Sequence, residues 1–278
     1  MSGLTILDGP IGTELARRGL PTPLPLWSAA AILDAPAQLG EIHADYAAAG
    51  AQVHTANTFR TDPWTLAKVG WEERAEELTR RAVEIARAAV PDDHLIAGSL
   101  SPLEDCYRPD LSPDLATCRR EHSRSARMLV DAGVDLILCE TFCHVGEALA
   151  ALDAGIEHGV DVWLSLTPGP QAELLSPVEI VDGLREAARR GAAALLVNCG
   201  PIASFAGLVP QLAGLDLPFG AYANVGGPCS EQGWISEGPD SPKSYAQAAQ
   251  DWLAAGASIL GGCCGTSVQH IEALSRLA

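Results

Sequence analysis

Three cysteines offer the most specific chemistry in this sequence. Cys263 and Cys264 are adjacent within Gly261-Gly262-Cys263-Cys264-Gly265-Thr266, and Cys199 stands upstream in Val197-Asn198-Cys199. Neighbouring cysteines do not easily pair with each other, and successive side chains along a strand point to opposite faces. Both therefore reach one ion only where the backbone leaves strand geometry, and the glycines around them permit that bend. A soft sulfur set favours zinc over magnesium or calcium, while iron and copper stay compatible with the residue types. A closed structural zinc site normally draws four ligands from two local CxxC-like pairs. No CxxC occurs here, so three thiolates predict a site whose fourth position is open. A substrate thiol taking that position is held as a reactive thiolate near neutral pH. Its attack on a methyl group of a sulfonium or ammonium is an in-line displacement, for which the fold supplies alignment.

The elements that must position these thiols are legible as an alternation. Short apolar runs predict strands at Leu4–Leu7, Gln52–Thr58, Leu95–Leu100, Asp135–Glu140, Val162–Leu166, Ala194–Asn198, Phe219–Asn224 and Ser258–Gly261. Between them, Ala-, Leu-, Glu- and Arg-rich stretches with helical spacing predict helices at Ala37–Ala49, Trp71–Ala89, Leu115–Ala132, Val145–His158, Val178–Arg190, Phe205–Leu212 and Ser244–Ala255, with Val268–Leu277 closing the series. Strand then helix, eight times with no linker-like break, predicts an α/β fold: one (β/α)8 TIM barrel spanning 1-278 as a single domain. Gly50, Gly133, Gly191 and Gly256 stand where helices end before strands and read as left-handed caps. Catalytic groups of such a barrel come from the C-terminal ends of its strands. The residues at those ends are Asp8-Gly9, Asn57-Thr58, Ser99 to Ser101, Glu140-Thr141, Thr167, Asn198-Cys199, Asn224 and Cys263-Cys264. Cys199 follows the sixth strand and the Cys-Cys pair the eighth, two strands away at roughly 4.8 Å per neighbour. The competing reading, small buried cysteines under Gly-rich turns, suits any one of them; three thiols at one barrel height favour the metal.

Bulk composition removes several classes. With 18 Lys and Arg against 35 Asp and Glu, the formal charge of −17 lacks the basic footprint of nucleic-acid or anionic-membrane binding. The N-terminus has neither the basic nor the apolar region of a signal peptide, and no run of eighteen apolar residues occurs, which predicts a cytoplasmic protein. Its eight cysteines are then expected to be reduced thiols rather than a disulfide framework. There is no GxGxxG and no P-loop, and no HxH or HExxH among the seven histidines.

Several stretches, in order along nearly the whole chain, resemble the homocysteine S-methyltransferase family, zinc-dependent (β/α)8 enzymes that make methionine. They are Leu7-Asp8-Gly9-Pro10-Ile11-Gly12-Thr13-Glu14-Leu15, Leu26-Trp27-Ser28-Ala29, His43-Ala44-Asp45-Tyr46, Thr55-Ala56-Asn57-Thr58-Phe59, Asp135-Leu136-Ile137-Leu138-Cys139-Glu140-Thr141, Val197-Asn198-Cys199 and Gly261-Gly262-Cys263-Cys264-Gly265-Thr266. The resemblance implies that Cys199, Cys263 and Cys264 hold Zn2+, and that Asp8, the Gly9 backbone and Glu140 hold the amino-acid end of homocysteine, carboxylates facing its ammonium. Helix caps or rim ion pairs are the competing roles for the two acids. Asn57, Thr58 and Asn224 are secondary candidates for substrate contact, with turn roles competing. The chain departs from the family pattern after the third strand, at Ser99-Leu100-Ser101-Pro102-Leu103, and after the seventh, at Tyr222-Ala223-Asn224-Val225-Gly226, where the methyl donor would approach.

The implied activity is zinc-dependent methyl transfer from a small onium donor, S-methylmethionine-like first, to the thiol of homocysteine, giving methionine. Betaine, S-adenosylmethionine and a selenol acceptor stay open. The alternatives are the homocysteine-activating subunit of a split corrinoid system and a zinc- or thiol-binding barrel without turnover. Cys229 and Trp234 lie in the loop after the seventh strand; an incidental thiol and a packing role are the simpler readings, against a further ligand and a stacking partner for a cationic donor. Cys139 reads as core, and Cys106 and Cys118 show no metal-like spacing.

Overall fold

The apolar strand runs lack a polar face, as expected for parallel strands covered on both sides. In the computed structural model, which describes residues 3–229, 233–235 and 241–278, eight of them form one parallel sheet. They are β1 (Thr5–Ile6), β2 (Val53–Ala56), β3 (Leu95–Leu100), β4 (Leu136–Phe142), β5 (Asp161–Leu166), β6 (Ala194–Pro201), β7 (Phe219–Asn224) and β10 (Ile259–Leu260); β8 (Gly227–Cys229) and β9 (Gly233–Ile235) make a separate antiparallel hairpin. The sheet order is β1-β10-β7-β6-β5-β4-β3-β2. A parallel bridge from Leu7 to Val53 joins its two edges, with the Asp8 N–H donating to the Val53 carbonyl at 3.0 Å. The sheet is thereby closed into a (β/α)8 barrel.

Alternation along the strands sorts side chains between two cores. Leu7, Val53, Ala97, Leu138, Trp163, Leu196 and Ile259 cluster with Tyr222, Cys199, Cys263 and Cys264. Their neighbours Ile6, Ile137, Val162, Leu195 and Ala221 join the larger core shared with the helices. The first cluster ends in the three cysteines, so the barrel's apolar filling stops where the thiols begin.

Helix Pro177–Arg190 illustrates how sequence fixes these boundaries. Ser176 and Glu179 form a capping box at its start, and Gly191 ends it at φ 104°. Gly50, Gly133 and Gly256 are left-handed too, as the helix-end pattern predicts. The expected helix Phe205–Leu212 is two short turns, Ile202–Phe205 and Val209–Leu212. Pro210 is the second residue of the second turn, near a helix start, where a residue without an N–H is tolerated. Helices Ile11–Arg17 and Pro63–Ala67 stand in stretches that showed no long periodic pattern. Strands β4 and β6 run past their expected ends at Glu140 and Asn198, through register shifts between Cys139 and Phe142 and between Asn198 and Pro201.

Candidate metal and substrate site

Those two register shifts build the site. Thr141 and Cys199 sit inside them with φ 63° and 51°, left-handed values that cost a non-glycine residue roughly 1–3 kcal/mol. The turn after β10 is anchored from several sides. The Cys263 N–H donates to the Ala223 carbonyl at 3.0 Å, and the Gly262 N–H to the Asp8 carbonyl at 3.1 Å. Arg17, at the end of helix Ile11–Arg17, donates to the carbonyls of Thr266 and Gly265 at 2.6 and 2.5 Å. A helix absent from the sequence expectations thus pins the cysteine turn to the barrel.

The sulfurs of Cys199, Cys263 and Cys264 lie within 4.8 Å of one another, and the residues are only 3%, 8% and 8% exposed. Cys199 and Cys263 are joined as a disulfide, with Cα atoms 5.7 Å apart, and Cys264 is a free thiol. Cys106, Cys118, Cys139 and Cys143 are free as well, so there is no disulfide framework among the described residues, and this pair is the exception to the expected reduced thiols. The physical reason is proximity: three thiolates around one zinc stand about 3.8 Å apart, given Zn–S bonds near 2.3 Å, and a Cα separation that serves this also serves a disulfide. Burial pushes the Cys264 thiol up to about 12. A cation beside it is what would hold it as a thiolate at neutral pH, so the donor set fits zinc in the reduced state.

A cavity of about 1120 Å³ opens beside the sulfurs, lined by Asp8, Gly9, Asn57, Glu140, Tyr222 and the three cysteines among others. The Asp8 carboxylate, 4% exposed, accepts from the Thr55 N–H at 2.9 Å and the Thr55 hydroxyl at 3.0 Å. Burial raises its pKa well above the usual range, and the nearby Glu140 charge adds to the rise. Glu140 accepts from the Ser99 hydroxyl at 2.5 Å and the Tyr222 hydroxyl at 3.3 Å. Burial pushes its carboxyl up to about 7, against the lowering effect of those two donors. Two acids that repel each other in a cavity are suited to a cationic group between them.

Gly9 packs against the hydroxyl end of Tyr46: a Cβ there would lie 2.7 Å from the ring carbons and the hydroxyl oxygen. Asn57 lines the cavity, but its amide donates to the Ser28 carbonyl at 2.8 Å. The Thr58 hydroxyl donates to the Ser99 carbonyl at 2.9 Å, and neither Thr58 nor Asn224 is among the cavity's lining residues. Asn224 is buried at the end of β7, near the Tyr107 hydroxyl. The side chains of Cys229 and Trp234 lie outside the described residues. Cys139 and Cys118 are buried in apolar clusters, whereas Cys106 lines the cavity.

Several groups here carry no role in the sequence reading. Trp27 and Phe59 face the cavity edge to face, 5.6 Å apart, and the Arg60 guanidinium lies 4.8 Å from the Phe59 ring centre. Arg60 donates to the carbonyls of Pro102 and Glu104, tying down the loop after β3. Ser99 and Tyr222 hold Glu140, and Asn198 bonds to both Thr141 and Ser165. Strand-end position was the available signal for Ser99 and Asn198; a Trp in the Leu26-Trp27-Ser28-Ala29 stretch was the one for Trp27.

A second grouping of potential ligands, Asp8, His43 and His54, also falls within 4.8 Å. Burial lowers the two imidazoles to about 4 and about 3, so both are neutral at pH 7. His54 already pairs with His94 at 3.0 Å, and Asp8 with Thr55.

Among the described residues no helix is long and apolar enough to cross a membrane. Residues 5–278 match the family model described as homocysteine S-methyltransferase. The chain is 32% identical to the homocysteine S-methyltransferase of Escherichia coli K12, over 98% of this chain and 94% of that protein. It is 28% identical to a selenocysteine Se-methyltransferase of Brassica oleracea var. italica, over 99% and 88% of the two chains. The crystal structure of the E. coli homocysteine methyltransferase MmuM in its metallated form superposes with a TM-score of 0.82 at 29% identity, covering all of this chain and 97% of that one.

Proposed function

The chain belongs to the homocysteine S-methyltransferase family, and we propose that it transfers a methyl group from a small onium donor, S-methylmethionine first, to the thiol of L-homocysteine. In this reading Cys199, Cys263 and Cys264 hold Zn2+. The observation that carries it is the convergence of three sulfurs within 4.8 Å on the wall of a cavity that also contains Asp8 and Glu140. The metallated form named for the E. coli structure agrees with it.

When bound, zinc lowers the pKa of a coordinated thiol, so that a nucleophilic sulfur is available near neutral pH. Every other requirement falls to side chains. Asp8 and Glu140 take the substrate ammonium, and each ionises as the cation enters, because the new charge offsets the burial that keeps it protonated. Ser99 and Tyr222 fix the Glu140 carboxylate on the cavity wall. Gly9 leaves backbone, rather than side chain, facing the amino-acid end. The donor carries a positive charge that is lost with its methyl group, and Trp27, on the cavity wall, offers it an aromatic ring. Alignment of nucleophile, methyl and leaving group in the cavity supplies the rate. A selenol acceptor is the second substrate of this reading, in keeping with the Brassica relative's name. A site that needs reduced thiols suits a cytoplasmic location.

The test is methionine formation by reduced protein from homocysteine with S-methylmethionine, betaine or S-adenosylmethionine, zinc-loaded and chelated. The reading expects zinc-dependent turnover, best with S-methylmethionine. Zinc-loaded protein that makes no methionine from any donor contradicts it.

A further inference from the structure

We propose that Asn198 and Thr141 are positioning residues for the cysteine set, a bonded pair that aims two hydrogen-bond donors at the sulfurs of Cys263 and Cys199 and so favours their metal-holding thiolate form. The inference rests on the metal reading above. Thr141 lies on β4, Ser165 on β5 and Asn198 on β6, three adjacent strands.

The direction of the chain of bonds follows from one backbone group. The Thr141 N–H can only donate, and it donates to Asn198 Oδ1 at 3.2 Å; the Ser165 hydroxyl donates to the same oxygen at 2.7 Å. The other end of the amide is therefore nitrogen. Asn198 Nδ2 gives one proton to the Thr141 hydroxyl oxygen at 2.8 Å, and its other reaches Cys263 Sγ at 4.0 Å. Having accepted from Asn198, the Thr141 hydroxyl keeps its own proton for Cys199 Sγ, 3.8 Å away. Both free ends of the network are donors, and both face sulfur.

These contacts are long, with the sulfurs bonded to each other. Thiolates are stronger acceptors and draw donors closer. The left-handed conformations of Thr141 and Cys199 belong to the same device, since each aims its side chain from a strand irregularity. Both donors are uncharged, so they steady the anionic sulfurs without replacing the cation. Outer partners of this kind govern metal affinity by roughly 10- to 100-fold.

The test measures zinc affinity by chelator competition on reduced wild type, Asn198→Asp, Thr141→Val and Thr141→Ser, together with the melting temperature of each zinc-free protein. Asn198→Asp loses the donors and Thr141→Val the hydroxyl; Thr141→Ser restores it. Both losses are expected to weaken zinc by roughly 10- to 100-fold, with Thr141→Ser close to wild type and zinc-free Thr141→Val melting with Thr141→Ser. Wild-type affinity in Thr141→Val, or equal loss in Thr141→Ser and Thr141→Val, overturns the inference; that pair decides it even where Asn198→Asp does not fold. A wild type that binds no zinc removes the metal reading and this inference together, whereas unaltered variants of a zinc-binding wild type remove this inference alone.

Discussion

Cys199, within β6, and Cys263, in the turn after β10, meet across the intervening strand β7 with Cα atoms 5.7 Å apart, joined through their sulfurs while Cys264 stays free. A disulfide and a zinc site are alternative uses of one geometry, because a metal takes thiolates. Mild oxidation of reduced, zinc-loaded protein is therefore expected to release its zinc and remove two titratable thiols, and a reductant with added zinc to restore both. A thiol count and a zinc indicator read the two together; zinc retained after the pair has closed contradicts the shared geometry.

Glu140 gives the site a pH dependence. Its carboxyl titrates near 7 in the folded protein against a reference of 4.5. The substrate ammonium needs its ionised form, so affinity for homocysteine should rise as pH increases through about 7. Glu140→Gln is expected to weaken binding and flatten that rise while zinc content stays at the wild-type level. Isothermal titration from pH 6 to 8 checks it, and an unchanged profile removes Glu140 from the substrate site.

The same group has a stability consequence of the opposite sign. Between pH 4.5 and about 7 the folded protein holds a proton that the unfolded chain releases. By linkage, the Glu140 contribution to stability is then greatest below 4.5 and is lost as pH rises to about 7. Substrate-free Glu140→Gln should melt at a higher temperature than wild type at pH 8, with the difference shrinking toward pH 5. A thermal scan at the two pH values decides it.

Gly9→Ala places a methyl 2.7 Å from the ring of fully buried Tyr46, whose hydroxyl donates to the Pro10 carbonyl at 3.2 Å. Overpacking of this kind costs about 1–3 kcal/mol. A lower melting temperature and a raised KM for homocysteine are expected, with the donor KM little changed.

Trp27→Ala tests the aromatic ring on the cavity wall. Loss of one cation–π face is worth roughly 0.5–2 kcal/mol, so the KM for an onium donor should rise by about 2- to 30-fold. Zinc content should not change. Equal effects on donor and homocysteine would assign Trp27 to general packing instead.

The barrel was legible because its strands are apolar runs between polar turns. Leu95–Leu100 and Phe219–Asn224 have the bounds expected from that pattern. The convergence of Cys199 with the Cys263-Cys264 pair followed from counting strands. What the sequence does not encode locally is side-chain direction. Asn57 and Thr58 are at a strand end as expected, yet the side chains of both turn to backbone carbonyls, of Ser28 and Ser99. The left-handed backbone at Thr141 and Cys199 has no glycine to announce it. Arg17 holds a turn some 250 residues away, its partners being backbone carbonyls that carry no residue-type signal. The Asn198 network spans β4 to β6 and appears only when those strands are side by side.

The central claim, that these three cysteines hold the metal on which methyl transfer depends, is tested most directly by zinc content per chain in reduced wild type, Cys199→Ser, Cys263→Ser and Cys264→Ser, with circular dichroism to verify the barrel. The account predicts one zinc in wild type and close to none in each variant, with the fold retained in all four. A full equivalent of zinc in any one of the serine variants would contradict it.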